Sequence, residues 1–191
     1  MKIIGITGLA GSGKDTARSV LQNHFGVTGM AFADPMRAML GQLLDHCGIG
    51  AEWMTQRELK EMPMPGLGVS YRHAAQALGT EWGRALTPSG DIWLKAAAAS
   101  MAEVMNIKGP DAVFCISDVR FENEARWVRE QGGVVWRIDR PGVAPVRQHA
   151  SENGIPQNLI DHVISNSETV DILRMAVYDL AIDQLEKWGA L

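Results

Sequence analysis

The chain has 191 residues, of which 46% are hydrophobic and 21% are charged, and these proportions are ordinary for a globular protein. At this length one domain is the expectation, with room for a small insertion. The net charge of −4 excludes the strongly basic surface of proteins that bind nucleic acids or anionic membranes. Binding of a small anionic metabolite would therefore depend on particular lysines and arginines.

Cysteine content and hydropathy indicate a protein of the reducing cytoplasm. Cys47 and Cys115 each lie in an apolar run, and we predict buried free thiols rather than a disulfide or a zinc site. No run of 18 apolar residues occurs, so we expect no transmembrane helix. The first residues predict a short strand followed by glycines rather than a signal peptide.

The first predicted elements are a buried strand at residues 2–7 and a helix whose apolar positions are Ala17, Val20, Leu21 and Phe25. Between them, residues 8–16 read GLAGSGKDT, which contains the Gly-x-x-x-x-Gly-Lys pattern of a phosphate-binding loop. Its glycines allow a tight turn that directs backbone N–H groups at an anion on the helix N-terminus. Lys14 is predicted to reach the β- and γ-phosphates.

The residue after Lys14 departs from the usual pattern, because Asp15 stands where Ser or Thr normally binds magnesium directly. Thr16 is then left to hydrogen-bond an α-phosphate, and we expect Mg²⁺ to be held through water with the help of Asp15. An acidic residue favoured by the helix dipole is an equal alternative for Asp15. The predicted nucleotide-binding set is Gly11, Ser12, Gly13, Lys14, Asp15 and Thr16.

A second strand is predicted at residues 27–33, and the clearest helical pattern of the chain follows it. Asp34 is predicted as the N-cap of this helix, Pro35 as its first residue and Gly48 as its C′ residue. The predicted apolar stripe consists of Met36, Met39, Leu40, Leu43, Leu44 and Cys47.

The next segment is predicted to be mostly helical, so that residues 35–105 form a helical subdomain. Residues 51–69 predict a short helix and a mobile loop. A further helix is predicted from Ser70 to about Leu78, broken at Gly79, and Asp91 is expected to cap an Ala-rich helix after it.

A third strand is predicted at residues 112–117 and ends at Asp118, where ligands collect at the carboxyl edge of open α/β sheets. We predict Asp118 as a carboxylate that orders the water shell of magnesium, and its alternative role is the N-cap of the next helix. The remaining predictions are a helix with Phe121, Ala125 and Val128 inward, strands at 134–138 and 159–165, a loop at 139–158, and a last helix from about Thr169 to Trp188. This alternation predicts a parallel sheet covered by helices on both faces.

Several arginines indicate a second, phosphorylated substrate, because guanidinium groups match phosphate oxygens in bidentate geometry. Arg72 and Gln76 lie four residues apart on a predicted helix and share a face. Arg120 follows the third predicted strand. A solvated surface charge is the alternative for any one arginine, and we favour it for Arg126 and Arg129. The other members of the set are Arg37, Arg140 and Arg147.

The motifs of the chain, taken in order, resemble the deoxynucleoside monophosphate kinases known from phages. The matching segments are GLAGSGKDTA, FADPMR, YRHAAQALGTEWGR followed by DIW, ISDVRFENEA, RIDRPG, HASE and DHVISN. The resemblance covers nearly the whole chain. It implies a three-layer α/β/α P-loop kinase with a five-stranded parallel sheet and a helical insertion that binds the monophosphate. The implied reaction is phosphorylation of a deoxynucleoside 5′-monophosphate to the diphosphate with ATP and Mg²⁺, in a bacterial or phage-infected cytoplasm.

The resemblance also implies roles for the arginines. Residues 1–34 and 106–191 would form the kinase core, and residues 139–158 a lid over ATP that closes together with residues 50–70. The monophosphate pocket would be lined by Asp34, Arg37, Arg72 and Gln76, with Arg120 on the acceptor phosphate. The transition-state charge would be spread by Lys14, Arg120 and two lid arginines, Arg140 and Arg147.

Other features stay open at this stage. His149, Ser151 and Glu152 either position the lid or form a local hydrogen-bond cluster. Trp82 and Trp93 either stack on a base or, as we favour, fill the core. The partners implied are nucleotides, with no nucleic acid and no membrane, and a homodimer is one of the open assembly states. Alternative functions are a dephospho-coenzyme A or phosphomevalonate type of kinase, an ATPase or nucleotide-binding switch, and a non-enzymatic relative.

Overall fold

The computed structural model describes residues 1–142 and 154–191 of the chain. Within these ranges the strands are β1 (Lys2–Thr7), β2 (Thr28–Met30), β3 (Val113–Ile116), β4 (Val134–Asp139) and β5 (His162–Ser165). They form one sheet in the order β2-β3-β1-β4-β5, and every neighbouring pair is parallel. The predicted α/β fold with a five-stranded parallel sheet is confirmed.

The helices follow the predicted sequence patterns closely. They are α1 (Lys14–Phe25), α2 (Asp34–His46), α3 (Glu52–Thr55), α4 (Tyr71–Gln76), α5 (Ile92–Lys108), α6 (Glu122–Glu130) and α7 (Val170–Lys187). Single 3₁₀ turns occur at Leu59–Glu61 and Gln157–Leu159. Among the residues described, no helix combines the length and hydropathy needed to cross a membrane.

The two faces of the central strand explain the layers of the fold. Ile4 and Ile6 of β1 are fully buried in a core cluster with residues of α1 and α7. Gly5 points to the opposite face, where an added Cβ would lie 3.0 Å from Val119 and 3.4 Å from Val128 of α6. Successive residues of a strand face opposite sides, so β1 carries helices on both faces. Because β1 is the middle strand of the five, its carboxyl end lies midway along the carboxyl edge of the sheet.

The chain divides into two compact units. The first consists of Met1–Ala31 and Ala98–Leu191 and contains the sheet. The second, Phe32–Ala97, is helical and has its own apolar cluster. That cluster contains Leu40, Leu44, Ile49, Met64 and Tyr71.

Several predictions for the helical unit are corrected. Asp34 is not the N-cap of α2 but its first residue; the N-cap is Ala33, and the Asp34 carboxylate accepts a hydrogen bond from Arg37 Nη1 at 2.8 Å. The apolar stripe of α2 is narrower than predicted, because Met39, Leu43 and Cys47 are exposed. The prediction of a buried thiol is therefore wrong for Cys47 and confirmed for Cys115.

Gly79 does not end the helix that precedes it. Residues Ala77–Trp82 continue α4 as a π-helix, and the indole Nε1 of the buried Trp93 donates a hydrogen bond to the Gly79 carbonyl at 2.7 Å. The favoured core role is confirmed for Trp93 and is wrong for Trp82, which is 46% exposed. A π-helical turn interrupts the regular i→i−4 hydrogen bonds of an α-helix, and the indole N–H of Trp93 supplies a donor to one of its carbonyl groups.

Candidate active site

The phosphate-binding loop joins β1 to α1, as the sequence predicts. Gly8, Gly11 and Gly13 have positive φ angles of 141°, 80° and 110°. At Gly8 a Cβ would lie 2.5 Å from the Ile138 carbonyl oxygen and 2.7 Å from Ser12 Oγ. A side chain is therefore excluded there by both backbone angle and space, and the loop can close tightly over the end of β1.

Lys14 bridges the loop that it terminates. Its ammonium donates to the carbonyl oxygens of Gly8 and Leu9 at 2.8 and 2.7 Å. The ammonium group thus lies against the loop rather than in solvent. A phosphate group bound in the loop could replace the two carbonyl oxygens as its hydrogen-bond acceptor. Its contact with the β- and γ-phosphates of a nucleotide stays a prediction.

Ser12 supplies a further polar group to the loop interior. The residue is only 1% exposed, and within the described ranges its Oγ has no hydrogen-bond partner. Buried hydroxyl groups are rarely left unsatisfied, so an orphan at this point favours a site that an anionic oxygen completes. Asp15 and Thr16 follow on the first turn of α1, where Asp15 is exposed.

Two side chains from other elements hold the loop from outside. Arg140, directly after β4, donates from Nη1 to the Gly11 carbonyl at 3.1 Å. Asn166, directly after β5, donates from Nδ2 to the Ser12 carbonyl at 2.8 Å. Sequence reasoning selected Arg140 but missed the role of Asn166, although the matching motif DHVISN ends on it. A polar residue directly after the fifth strand was the available signal.

A cavity of about 410 Å³ lies between β5 and α7. It is bordered by apolar residues of both elements and by the polar segment that joins them. Asn166 lines this cavity and also contacts the phosphate-binding loop. The cavity and the loop are therefore neighbours in the sheet-containing unit.

Asp118 lies at the carboxyl edge of the sheet, next to the strand that leads to the loop. Ser117 N donates to the Met30 carbonyl and Val119 N to the Ile6 carbonyl, each at 3.1 Å. These bonds fix the Asp118 backbone between the ends of β2 and β1, and the residue is 8% exposed. The alternative that Asp118 caps the next helix is wrong, because α6 begins at Glu122 and Phe121 is its N-cap.

A magnesium ion held through water needs few carboxylates from the protein. In the described part of the chain, no group of three or more His, Cys, Asp or Glu side chains could hold a metal ion. Mg²⁺ typically keeps several waters and takes only one or two carboxylates together with substrate phosphates. Asp118, which is buried, and Asp15, which is exposed, are the residues that would hold such an ion, and both roles stay predictions.

Arg18 is a second residue, after Asn166, that sequence reasoning missed. From α1 its Nη1 lies 3.5 Å from Ser117 Oγ, and its Nε donates to Gln22 at 3.1 Å. Gly29 of β2 leaves the necessary room, since an added Cβ would be 2.4 Å from Arg18 Nε. The guanidinium therefore reaches the end of β3 beside Asp118. No motif marks this residue, because the space for it comes from a neighbouring strand.

Arg120 presents an exposed side chain from a fixed backbone. Its N–H donates to Glu124 Oε2 at 2.7 Å, and the N–H of Phe121 donates to the same oxygen at 3.0 Å. Glu124 is 3% exposed, so this cap is a buried one. The structure therefore leaves the guanidinium of Arg120 exposed at the sheet edge, at the start of α6.

The predicted acceptor residues of the helical unit lie in two ion pairs. Arg37 pairs with Asp34, and Arg72 pairs with Glu61. Tyr71, which precedes Arg72 and was not selected from the sequence, is buried. Burial raises the pKa of Tyr71, and the positive charge of Arg37 offsets part of that rise. Gln76, the fourth predicted acceptor residue, is the last residue of α4.

Arg147, His149, Ser151 and Glu152 lie outside the described residues. Their predicted roles in a lid therefore remain predictions. Arg126 and Arg129, which we assigned to the surface, form ion pairs with Glu122 and Asp161.

Comparison with known proteins decides the family. A family model for deoxynucleotide monophosphate kinase matches residues 67–177. A protein of Acanthamoeba polyphaga mimivirus, assigned as a deoxynucleotide monophosphate kinase, is 33% identical over 189 residues, which cover 90% of this chain and 91% of that protein. The chain belongs to the deoxynucleotide monophosphate kinase family.

A second relative supports this assignment, and one solved structure shares the fold. The deoxynucleoside-5′-monophosphate kinase of Escherichia phage T5 is 34% identical over 137 residues, covering 68% of this chain and 52% of that enzyme. Among solved structures, dephospho-CoA kinase from Campylobacter jejuni covers the full length of both chains with a TM-score of 0.51 and 15% identity, a likeness of fold alone. Family membership confirms the predicted resemblance and the predicted phosphotransferase class, and it implies the use of ATP.

Proposed function

We propose that the protein transfers the γ-phosphoryl group of ATP to the 5′-phosphate of a deoxynucleoside monophosphate. The observation that carries the proposal is the loop of residues 8–14, in which Lys14 and an orphan buried Ser12 hydroxyl meet at the N-terminus of α1. Membership in the deoxynucleotide monophosphate kinase family supports the acceptor class. The reaction would belong to deoxynucleotide synthesis in the cytoplasm.

ATP would be bound by the loop and its neighbours. Backbone N–H groups of Gly11 and Gly13 and the Ser12 hydroxyl would surround the β- and γ-phosphates, and Thr16 would hydrogen-bond the α-phosphate. The cavity between β5 and α7 offers a volume for the nucleoside next to the loop. Asp118 and Asp15 would hold Mg²⁺ through water, and the metal would neutralise charge on the phosphates.

The acceptor would be bound by the helical unit, which we propose as the monophosphate-binding subdomain. Arg37 and Arg72 would contact the acceptor phosphate, with Asp34 and Gln76 lining the same pocket. An incoming phosphate would compete with the carboxylates that now pair with both arginines. Exchange of one anionic partner for another keeps each guanidinium paired and avoids an uncompensated charge.

The chemical step would require positioning and charge stabilisation from the protein rather than covalent catalysis. The attacking phosphate oxygen is ionised at neutral pH, so no general base is required. Lys14, Arg120 and Arg140 would stabilise the charge that develops on the moving phosphoryl group, and Arg147 would join them. Exclusion of water by the segments at 50–70 and 139–158 would limit hydrolysis of ATP.

The decisive test is release of ADP from ATP and Mg²⁺, coupled to an indicator reaction, with each of the four deoxynucleoside monophosphates. We expect strong stimulation by at least one of them over the rate without acceptor. Dephospho-coenzyme A and phosphomevalonate belong in the same panel, because their kinases share the phosphate loop. Stimulation by none of the monophosphates, or a high rate without acceptor, would overturn the proposal in favour of an ATPase or a switch.

A further inference from the structure

The Ser12–Gly13 peptide is held in one orientation by a side chain from the other end of the chain. Asn166 Nδ2 donates to the Ser12 carbonyl at 2.8 Å. No cis peptide bond occurs in the described residues. In a trans peptide the C=O and N–H bonds point in opposite directions. The Gly13 N–H is therefore directed away from Asn166.

That N–H is one of the orphan donors of a helix N-terminus. Gly13 is the N-cap of α1, and its carbonyl accepts the hydrogen bond from Ala17 N at 3.0 Å. Its N–H donates to no acceptor in the described residues. Unpaired donors at a helix N-terminus bind anions well. Rotation of the Ser12–Gly13 peptide would turn this donor out of the loop and turn a carbonyl oxygen toward the anion.

The backbone of Asn166 is held in place, and its side-chain amide lies close to Gly13. The backbone N–H of Asn166 donates to the Asp139 carbonyl at 2.7 Å, and this bond ties Asn166 to the end of β4. At Gly13 an added Cβ would lie 2.9 Å from Asn166 Nδ2 and 2.7 Å from Leu173 Cδ2. The amide can reach the Ser12 carbonyl only because residue 13 has no side chain. Glycine at position 13 therefore allows both the close approach of the Asn166 amide and the positive φ angle.

We infer that Asn166 is a positioning residue that aims the Gly13 N–H at a phosphate group of the bound nucleotide. It acts through the Ser12–Gly13 peptide and need not touch the nucleotide itself. The inference rests on the proposed function to the extent that the loop binds a nucleoside triphosphate. It can be tested by binding alone, in the absence of any acceptor.

The test compares Asn166→Ala and Asn166→Asp with the unaltered protein. Asn158→Ala is the matched control for loss of an amide, because the Asn158 side chain is exposed and its backbone carbonyl, which accepts from Arg129, is retained. Asn158→Asp is the control for added charge, at an exposed position that does not line the cavity between β5 and α7. Calorimetry gives the Kd values for ATP and for pyrophosphate, and thermal unfolding without ligand gives the Tm.

We expect Asn166→Ala to raise the Kd of ATP and of pyrophosphate by about tenfold each, the loss typical of one hydrogen bond to a charged group. Asn166→Asp should lose at least as much, because a carboxylate cannot donate to the Ser12 carbonyl. Both controls should stay within about twofold to threefold of the unaltered protein, well below one tenfold step in Kd. In turnover assays the KM for ATP should rise while the KM for the acceptor is unchanged.

Other outcomes separate this role from a merely structural one. A lower Tm with unchanged Kd values for ATP and pyrophosphate would overturn the inference, and so would equal losses in Asn166→Asp and Asn158→Asp. If Asn166→Ala fails to fold, Asn166→Asp preserves the side-chain volume and keeps the test decisive. Normal nucleotide binding without phosphorylation of any monophosphate would instead contradict the proposed acceptor and leave this inference standing.

Discussion

Arg140 donates a hydrogen bond from Nη1 to the Gly11 carbonyl oxygen at 3.1 Å, which joins the end of β4 to the phosphate-binding loop. The guanidinium is exposed on its other side. One arginine can thus hold the loop and still present N–H groups to a phosphate, because guanidinium carries five donors.

Substitution of Arg140 should weaken the use of ATP. We expect Arg140→Ala to lower kcat/KM for ATP by about 10- to 100-fold, since a positioned donor to the transferred phosphoryl group is lost. Arg140→Lys should recover only part of this, because an ammonium cannot present a planar set of donors. Steady-state kinetics at saturating acceptor measures the effect. Arg126→Ala is the control, because Arg126 is exposed and pairs with Glu122 on α6; an equal loss there would contradict the prediction.

Substitution of Lys14 should remove turnover without unfolding the protein. Lys14→Ala deletes the ammonium that lies across the loop carbonyls. We expect kcat to fall by about 10³-fold or more, because charge on the moving phosphoryl group is no longer stabilised. Rates and far-UV circular dichroism should be measured on the same sample. Near-normal phosphoryl transfer by a folded Lys14→Ala protein would contradict the assignment of this loop as the binding site for the phosphates of ATP.

The ion pair of Arg72 and Glu61 gives a two-sided test of acceptor binding. Arg72→Ala should raise the acceptor KM at least tenfold and leave the ATP KM within about twofold, as expected for loss of a bidentate phosphate contact. Glu61→Ala removes a carboxylate that competes for the same guanidinium, so the acceptor KM should stay equal or fall. Both KM values are obtained by varying one substrate at saturation of the other. Parallel changes in both would argue against an acceptor role.

The two cysteines should differ sharply in reactivity and in their effect on stability. Burial raises the pKa of Cys115 to about 12, whereas Cys47 is exposed. The unfolded chain loses the Cys115 proton near the ordinary value of 9.0, before the folded protein does. The free energy of unfolding is therefore unaffected below pH 9 and falls as the pH rises from 9 toward 12, by at most about 1.4 kcal/mol per pH unit.

Urea unfolding from pH 8 to 11 measures this dependence, with Cys115→Ala as the variant that lacks it. A thiol reagent at neutral pH should label Cys47 in the native protein and both cysteines after denaturation. Rapid native labelling of both thiols, or the same alkaline slope in Cys115→Ala, would show that Cys115 is not held protonated by the core.

The sheet and its flanking helices were predictable because local pattern and tertiary position agree there. Apolar strands, the glycine loop and helical spacing each required only short windows of sequence. The π-helical continuation through Gly79 was not predictable, because the indole that satisfies its carbonyl comes from Trp93, fourteen positions later. The exposure of Met39 and Leu43 also depends on which face of α2 the helical unit covers.

The candidate site shows the same division between local and distant causes. Lys14 and its loop follow from a local motif. Asn166 and Arg18 reach the site through space that Gly13 and Gly29 leave open in other segments, and a linear pattern does not reveal such pairings.

The buried carboxylate of Glu124 gives the sheet edge two chemically opposite helix ends. At α6 it already accepts the N–H groups of Arg120 and Phe121, so this terminus carries its own acceptor. At α1 the corresponding donor, the Gly13 N–H, meets no acceptor in the described residues. The two helices therefore differ at this edge: the N–H groups that lead into α6 already have an acceptor within the chain, whereas the Gly13 N–H remains available to an anion.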